Sequence, residues 1–76
     1  MNYGERVRAL RERIGLSQSG LGERIGCGRG HVSAVEMGRW RFGRETELAL
    51  AKLAGVQLEY LAAAPLGESP GKTDAV

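Results

Sequence analysis

The sequence predicts an all-α fold, a compact bundle of about five short helices. Three observations carry that prediction. Gly15, Gly26, Gly38 and Gly55 each follow a short segment with helical apolar spacing, where a left-handed glycine would end a helix. Residues suited to capping stand where several of those segments begin. No stretch alternates apolar and polar residues as a half-buried strand would, and neither repeats nor heptads occur.

The first segment opens at Asn2 with Glu5 three positions on, a capping box, and carries Val7, Leu10 and Ile14 on one face. Ser17 caps a second, shorter helix with Leu21 and Ile25. Gly28 stands at the cap of a third, with Val32 and Val35 on its inner side. A basic loop, Arg39 to Gly43, leads into a fourth helix. Glu45 and Glu47 in its first turn suit the helix dipole, and Leu48, Ala51 and Leu53 are its expected apolar side. Past Gly55 a last short turn of helix would hold Leu58 and Leu61. From Pro65 the composition changes to Pro, Gly, Ser and charged residues, which reads as a flexible tail, 65–76, behind a domain of residues 1–64.

A chain of 76 residues forms one domain. At this length folding buries only about 60% of the unfolded surface, which leaves no room for a catalytic cleft beside a core. With one His and one Cys, no nucleophile–base pair or metal cluster can be assembled, so an enzyme is not expected. Cys27 cannot form an internal disulfide and His31 lacks partners for zinc, so no metal and no cofactor are expected. Cys27 reads as a small buried apolar residue. Met1 to Arg13 contains no apolar signal region, and no apolar run nears the roughly 18 residues that span a bilayer. No membrane association is expected, and a reducing cytoplasm is the default home.

The net charge is only +2, but Arg29, Arg39, Arg41 and Arg44 cluster along the chain, a local excess that suits a polyanion. The most informative stretch runs from Gln18 to Met37. Two helices crossing steeply need a small residue where they touch, a glycine in the turn and apolar residues at the buried positions. Gly22 is the small residue and Gly26 the turn. Leu21, Ile25, Cys27, Val32 and Val35 are the buried set.

This pattern resembles the lambda-repressor/Cro-like helix-turn-helix family, the XRE-type regulators. The resemblance rests on Leu16-Ser17-Gln18, Leu21-Gly22-Glu23-Arg24-Ile25-Gly26 and Val32-Ser33-Ala34-Val35-Glu36-Met37-Gly38-Arg39. It continues through Glu45-Thr46, Leu48, Leu50-Ala51-Lys52 and Gly55-Val56, and covers roughly residues 3 to 62. It implies a DNA-binding transcriptional regulator that docks its third helix in the major groove of double-stranded DNA, usually as a homodimer on a two-fold site.

The resemblance also implies roles for single residues. Gln18 would hold a phosphate at the start of the second helix. Arg29, Gly30, Ser33 and Ala34 match positions that face base edges, and the helical wheel independently turns Gly30, Ala34 and Met37 outward, flanked by Ser33, Arg29 and His31. His31 is expected to meet the DNA backbone or solvent. Arg39, Arg41 and Arg44 match a loop that grips the sugar-phosphate backbone. Arg11 and Glu36 match a recurrent pair that ties the first helix to the end of the recognition helix. Glu47 stands where the family commonly has an apolar residue, which implies a shifted or more exposed start of the fourth helix. Trp40 is expected to pack on Phe42 or on the first helix, the alternative being insertion beside the DNA backbone. Gly30 is expected to let the helix approach the groove closely.

The expected function is repression of transcription from a palindromic operator. Val56, Leu58, Tyr60 and Leu61 supply more apolar groups than one short helix can bury in its own chain, and are the expected dimer interface. The residues leave room for an activating controller, and for an antitoxin that acts through a small protein partner. The tail beyond Ala64 nearly lacks apolar anchors, which weighs against toxin neutralisation by that tail.

Overall fold

In a computed structural model of the chain, describing residues 1–65, five helices follow one another: α1 (Tyr3–Arg13), α2 (Gln18–Ile25), α3 (Arg29–Glu36), α4 (Arg44–Ala54) and α5 (Glu59–Ala62). No strand occurs among the described residues. The helix starts are those the caps predict. The Asn2 side chain accepts from the Glu5 N–H and the Glu5 carboxylate accepts from the Asn2 N–H, each at 2.9 Å. Ser17 Oγ accepts from the Gly20 N–H at 2.9 Å. The helix ends agree as well. All four predicted stop glycines have positive φ, and Gly26 at +86° lets α2 close and the chain turn directly into the approach to α3.

Periodicity brings one side of each helix to a common core. Val7 and Leu10 of α1, Leu21 and Ile25 of α2, and Val32 and Val35 of α3 are buried together. They surround Leu50 and Ala54 of α4, with Leu61, Phe42 and Ala64 closing the cluster. α2 packs across α3, and α1 lies against both α3 and α5. Tyr3, which the sequence pattern does not place inside, is fully buried.

The buried side of α4 differs from the expected one. It consists of Leu50, Ala51, Ala54 and Glu47, whereas Leu53 is half-buried and Leu48 is exposed. Nor is the start of α4 more exposed: Glu47 is a buried carboxylate. Its Oε2 accepts the Tyr3 hydroxyl proton at 2.6 Å, and the Phe42 N–H donates to the Tyr3 oxygen at 3.3 Å. Burial, then the hydrogen bond to Glu47 and its charge, push the Tyr3 hydroxyl well above its ordinary value of 10.0.

The tail expected at 65–76 lies outside the described residues except for Pro65. That residue belongs with the domain, since its carbonyl accepts from the Tyr3 N–H at 2.8 Å.

Candidate nucleic-acid interface

The α2–α3 crossing depends on backbone proximity. A Cβ on Gly22 would collide with the carbonyl oxygen of Cys27, so only glycine lets the turn close over α2. Gly4 plays the same part between α1 and the end of α3. A Cβ there would stand 2.6 Å from the carbonyl oxygens of Val35 and Glu36.

The end of α3 is also fixed by charge. Arg11 Nε donates to Glu36 Oε2 at 2.6 Å and Nη2 to Oε1 at 3.2 Å, with side-chain exposures of 13% and 6%. A third donor, Arg11 Nη1, reaches the Leu16 carbonyl at 2.9 Å. The Glu36 hydrogen bond raises the Arg11 pKa, opposed by burial. Gln18 joins this cluster, its Nε2 donating to Glu36 Oε1 at 3.1 Å. The amide expected to hold a phosphate therefore has its nitrogen engaged in the clamp, which locks α1, the start of α2 and the end of α3 into one unit.

With Val32 and Val35 buried, the opposite side of α3 faces solvent. Arg29, Gly30 and Met37 are exposed, and His31, Ser33 and Ala34 are half-buried. Gly30 and Met37 are exposed as the helical wheel expects, whereas Ala34, also expected outward, is half-buried. The Ser33 hydroxyl donates to the Met37 sulfur at 3.7 Å, which leaves its oxygen able to accept. Gly30 has nothing within 4 Å of a built Cβ, so no contact within the chain requires glycine there.

The basic loop divides. Arg39 and Arg44 are exposed, and among the described residues neither pairs with a carboxylate. Arg41 turns the other way, so the structure does not bring all three arginines together. Its Nη1 donates to the Ala64 carbonyl and its Nη2 to the Ala62 carbonyl, both at 3.1 Å. Its guanidinium stands 4.2 Å from the Tyr3 ring centroid and 3.9 Å from Glu47 Oε2. Carbonyls at the end of α5 attract a cation for the same dipolar reason that helix starts attract anions.

Further positions bear on the expectations. Trp40 is 57% exposed, and its ring makes a T-shaped contact with His31 of α3, with centroids 5.4 Å apart. His31 in turn leans on Phe42 at 5.5 Å and is half-buried. Of the expected dimer surface, Val56, Leu58 and Tyr60 are half-buried, but Leu61 is fully buried in the core and has no face to offer a partner. Cys27 is half-buried, and burial pushes its thiol pKa up. Among the described residues no helix is long and apolar enough to cross a membrane.

This architecture has known counterparts. A family model described as a helix-turn-helix domain matches residues 2–64. A crystal structure of the P22 c2 repressor in complex with synthetic operator 9T is 31% identical, with a TM-score of 0.75 over 80% of this chain and 92% of that one. The restriction-modification controller protein C.AhdI from Aeromonas hydrophila is 34% identical, with a TM-score of 0.69 over 78% of this chain and 89% of that one. The solution structure of the P22 c2 repressor DNA-binding domain is 29% identical, with a TM-score of 0.75 over 91% of each chain. None of the curated proteins compared with the sequence matches it. With the family model spanning nearly all of the described residues and two relatives above 30% identity, the chain belongs to the lambda-repressor-like helix-turn-helix family of DNA-binding transcription regulators.

Proposed function

We propose that the chain is a repressor that binds a palindromic operator as a homodimer, with α3 of each copy in the major groove. The observation that carries this reading is the solvent-facing side of α3, with Arg29 exposed at its start, on a helix held at its far end by the Arg11–Glu36 clamp. Arg29 is the guanine-reading candidate, since a guanidinium can donate to O6 and N7 together. Ser33 and Ala34 offer a hydroxyl and a methyl to base edges, and Arg39 and Arg44 supply phosphate contacts. The role is one of binding rather than catalysis, exerted in the cytoplasm on the nucleoid by occluding a promoter.

Two copies are needed on physical grounds. One short helix with few base-reading side chains specifies only a few base pairs, too little against the roughly 10⁶–10⁹ competing sites of a genome. A two-fold pair would read half-sites with centres about 34–36 Å apart. Val56, Leu58 and Tyr60 form the surface proposed for that contact. The likeness to a restriction-modification controller favours one second reading, in which the same dimer also activates through a protein partner such as RNA polymerase.

Binding to duplexes carrying one or two half-sites tests the proposal. Tyr60→Ala is expected to weaken the two-half-site complex far more than the single-half-site complex. Equal weakening of both, with a monomer in sedimentation at high micromolar concentration, would overturn the homodimer.

A further inference from the structure

Phe42, His31 and Trp40 form a line of rings running from the core to the surface. Phe42 is 4% exposed, His31 is half-buried, and Trp40 is 57% exposed. An indole seldom stays this open without a partner, because it is the largest apolar side chain and its N–H also seeks an acceptor. Here it is also not adrift. The His31 ring meets it at an interplanar angle of 87°, and His31 is itself backed by buried Phe42. Trp40 follows exposed Arg39 directly in the chain, and its partner His31 sits on the recognition helix beside Gly30.

We infer that Trp40 is a DNA contact of this chain and that His31 is its positioning residue. The occupant of the indole surface is the deoxyribose–phosphate backbone flanking the half-site. The ring face covers a sugar, and the Nε1–H donates to a phosphate oxygen. Charge complementarity favours this partner, since Arg39 precedes Trp40 in the chain, Arg29 lies two residues before His31 on α3, both are exposed, and neither is in a salt bridge among the described residues. His31, fixed between two aromatic rings, acts through Trp40 and does not read a base. This inference rests on the DNA-binding reading above.

The chain has a single tryptophan, so its emission reports this position alone. The probes are the duplex recovered by selection from random sequence and a random duplex of equal length, with binding measured in parallel by mobility shift. Wild-type emission is expected to change with the same midpoint as the shift. Trp40→Ala is expected to bind roughly tenfold more weakly, the change for losing several tens of Å² of apolar contact, while Trp40→Phe retains most of the affinity. Its salt dependence stays at the wild-type slope, because no charge is removed. His31→Ala is expected to weaken binding and alter the emission of the unbound protein, and His31→Phe to restore both. Undiminished affinity in Trp40→Ala, with wild-type emission unchanged while the shift proceeds, would overturn the inference and leave the DNA-binding reading standing. Failure of the wild type to shift any duplex would overturn both.

Discussion

Tyr3 and Glu47 meet in the core through a 2.6 Å hydrogen bond that joins the first turn of α1 to the first turn of α4 across forty-four positions of sequence. A buried carboxylate is tolerable only when its lone pairs are answered, and here a hydroxyl proton and the nearby Arg41 guanidinium answer them. The same contact places Tyr3 against Arg41, which binds the end of α5. One polar knot therefore holds the start of α1, the loop after α3 and the last helix.

Tyr3→Phe removes one hydroxyl and leaves both Glu47 and the Phe42 N–H short of a partner. It should destabilise the fold by about 1–3 kcal/mol in urea denaturation. Adding Glu47→Leu to that background should recover part of the loss, because replacing both polar partners is gentler than orphaning one. A double variant less stable than Tyr3→Phe alone would contradict this.

The knot also sets an alkaline limit. The folded pKa of Tyr3 is raised above the ordinary value of 10.0, chiefly by burial and then by Glu47. Once pH passes that ordinary value the unfolded chain loses a proton that the folded chain keeps. Its contribution to stability is therefore complete below pH 10.0 and declines as pH rises towards the folded value. Denaturation midpoints taken across this range should fall more steeply for the wild type than for Tyr3→Phe. Identical slopes would place Tyr3 in solvent.

Arg11 and Glu36 should behave as one unit. With side-chain exposures of 13% and 6%, removing either partner strands a largely desolvated charge. A double-mutant cycle should return a coupling on the order of 3 kcal/mol. A coupling near zero would mean that the bidentate geometry does not persist in solution.

Arg39, Arg41 and Arg44 should separate by their salt dependence. Arg39→Ala and Arg44→Ala should each flatten the slope of log affinity against log salt by about one unit, the signature of a lost phosphate contact. Arg41→Ala should keep the wild-type slope and instead lower stability, since its donors go to the carbonyls of Ala62 and Ala64. A flattened slope for Arg41→Ala would show that the guanidinium leaves those carbonyls for DNA.

What could be read from the sequence was local. Caps, stop glycines and the Val32–Val35 inner face follow from neighbours a turn apart, and the structure repeats them. The Arg11–Glu36 pair was visible only through resemblance to a family, since nothing local couples residues this far apart. The misses share one cause. Glu47 breaks the apolar period of α4 and would be placed outside by any local rule; its burial depends on Tyr3, which is remote in sequence. Arg41 looks identical to Arg39 and Arg44 until the end of α5 arrives beside it. Leu61 counts as surplus on a short helix until α1 and α4 cover it. Trp40 reads as a packing residue because an indole usually is one, and nothing in the sequence shows that His31 stands between it and Phe42.

Glycine substitutions should sort by what surrounds them. Gly4→Ala and Gly22→Ala place a methyl against backbone carbonyls that cannot rotate away, and each should destabilise by about 1–3 kcal/mol. Gly30→Ala meets open space and should stabilise α3 by about 1 kcal/mol. If its role is close approach to the groove, the same change should weaken operator binding. Unaltered operator affinity in Gly30→Ala would discard that role.

On the proposed function, the outward face of α3 reads one half of a two-fold site. Selection of bound duplexes from random DNA, followed by a count of chains per selected duplex, tests it most directly. The expected result is an inverted repeat with half-site centres about one helical turn apart, bound by two chains, whose preferred base changes when Arg29 or Ser33 is altered. Recovery of no enriched sequence, or of a preference that survives both changes, would contradict it.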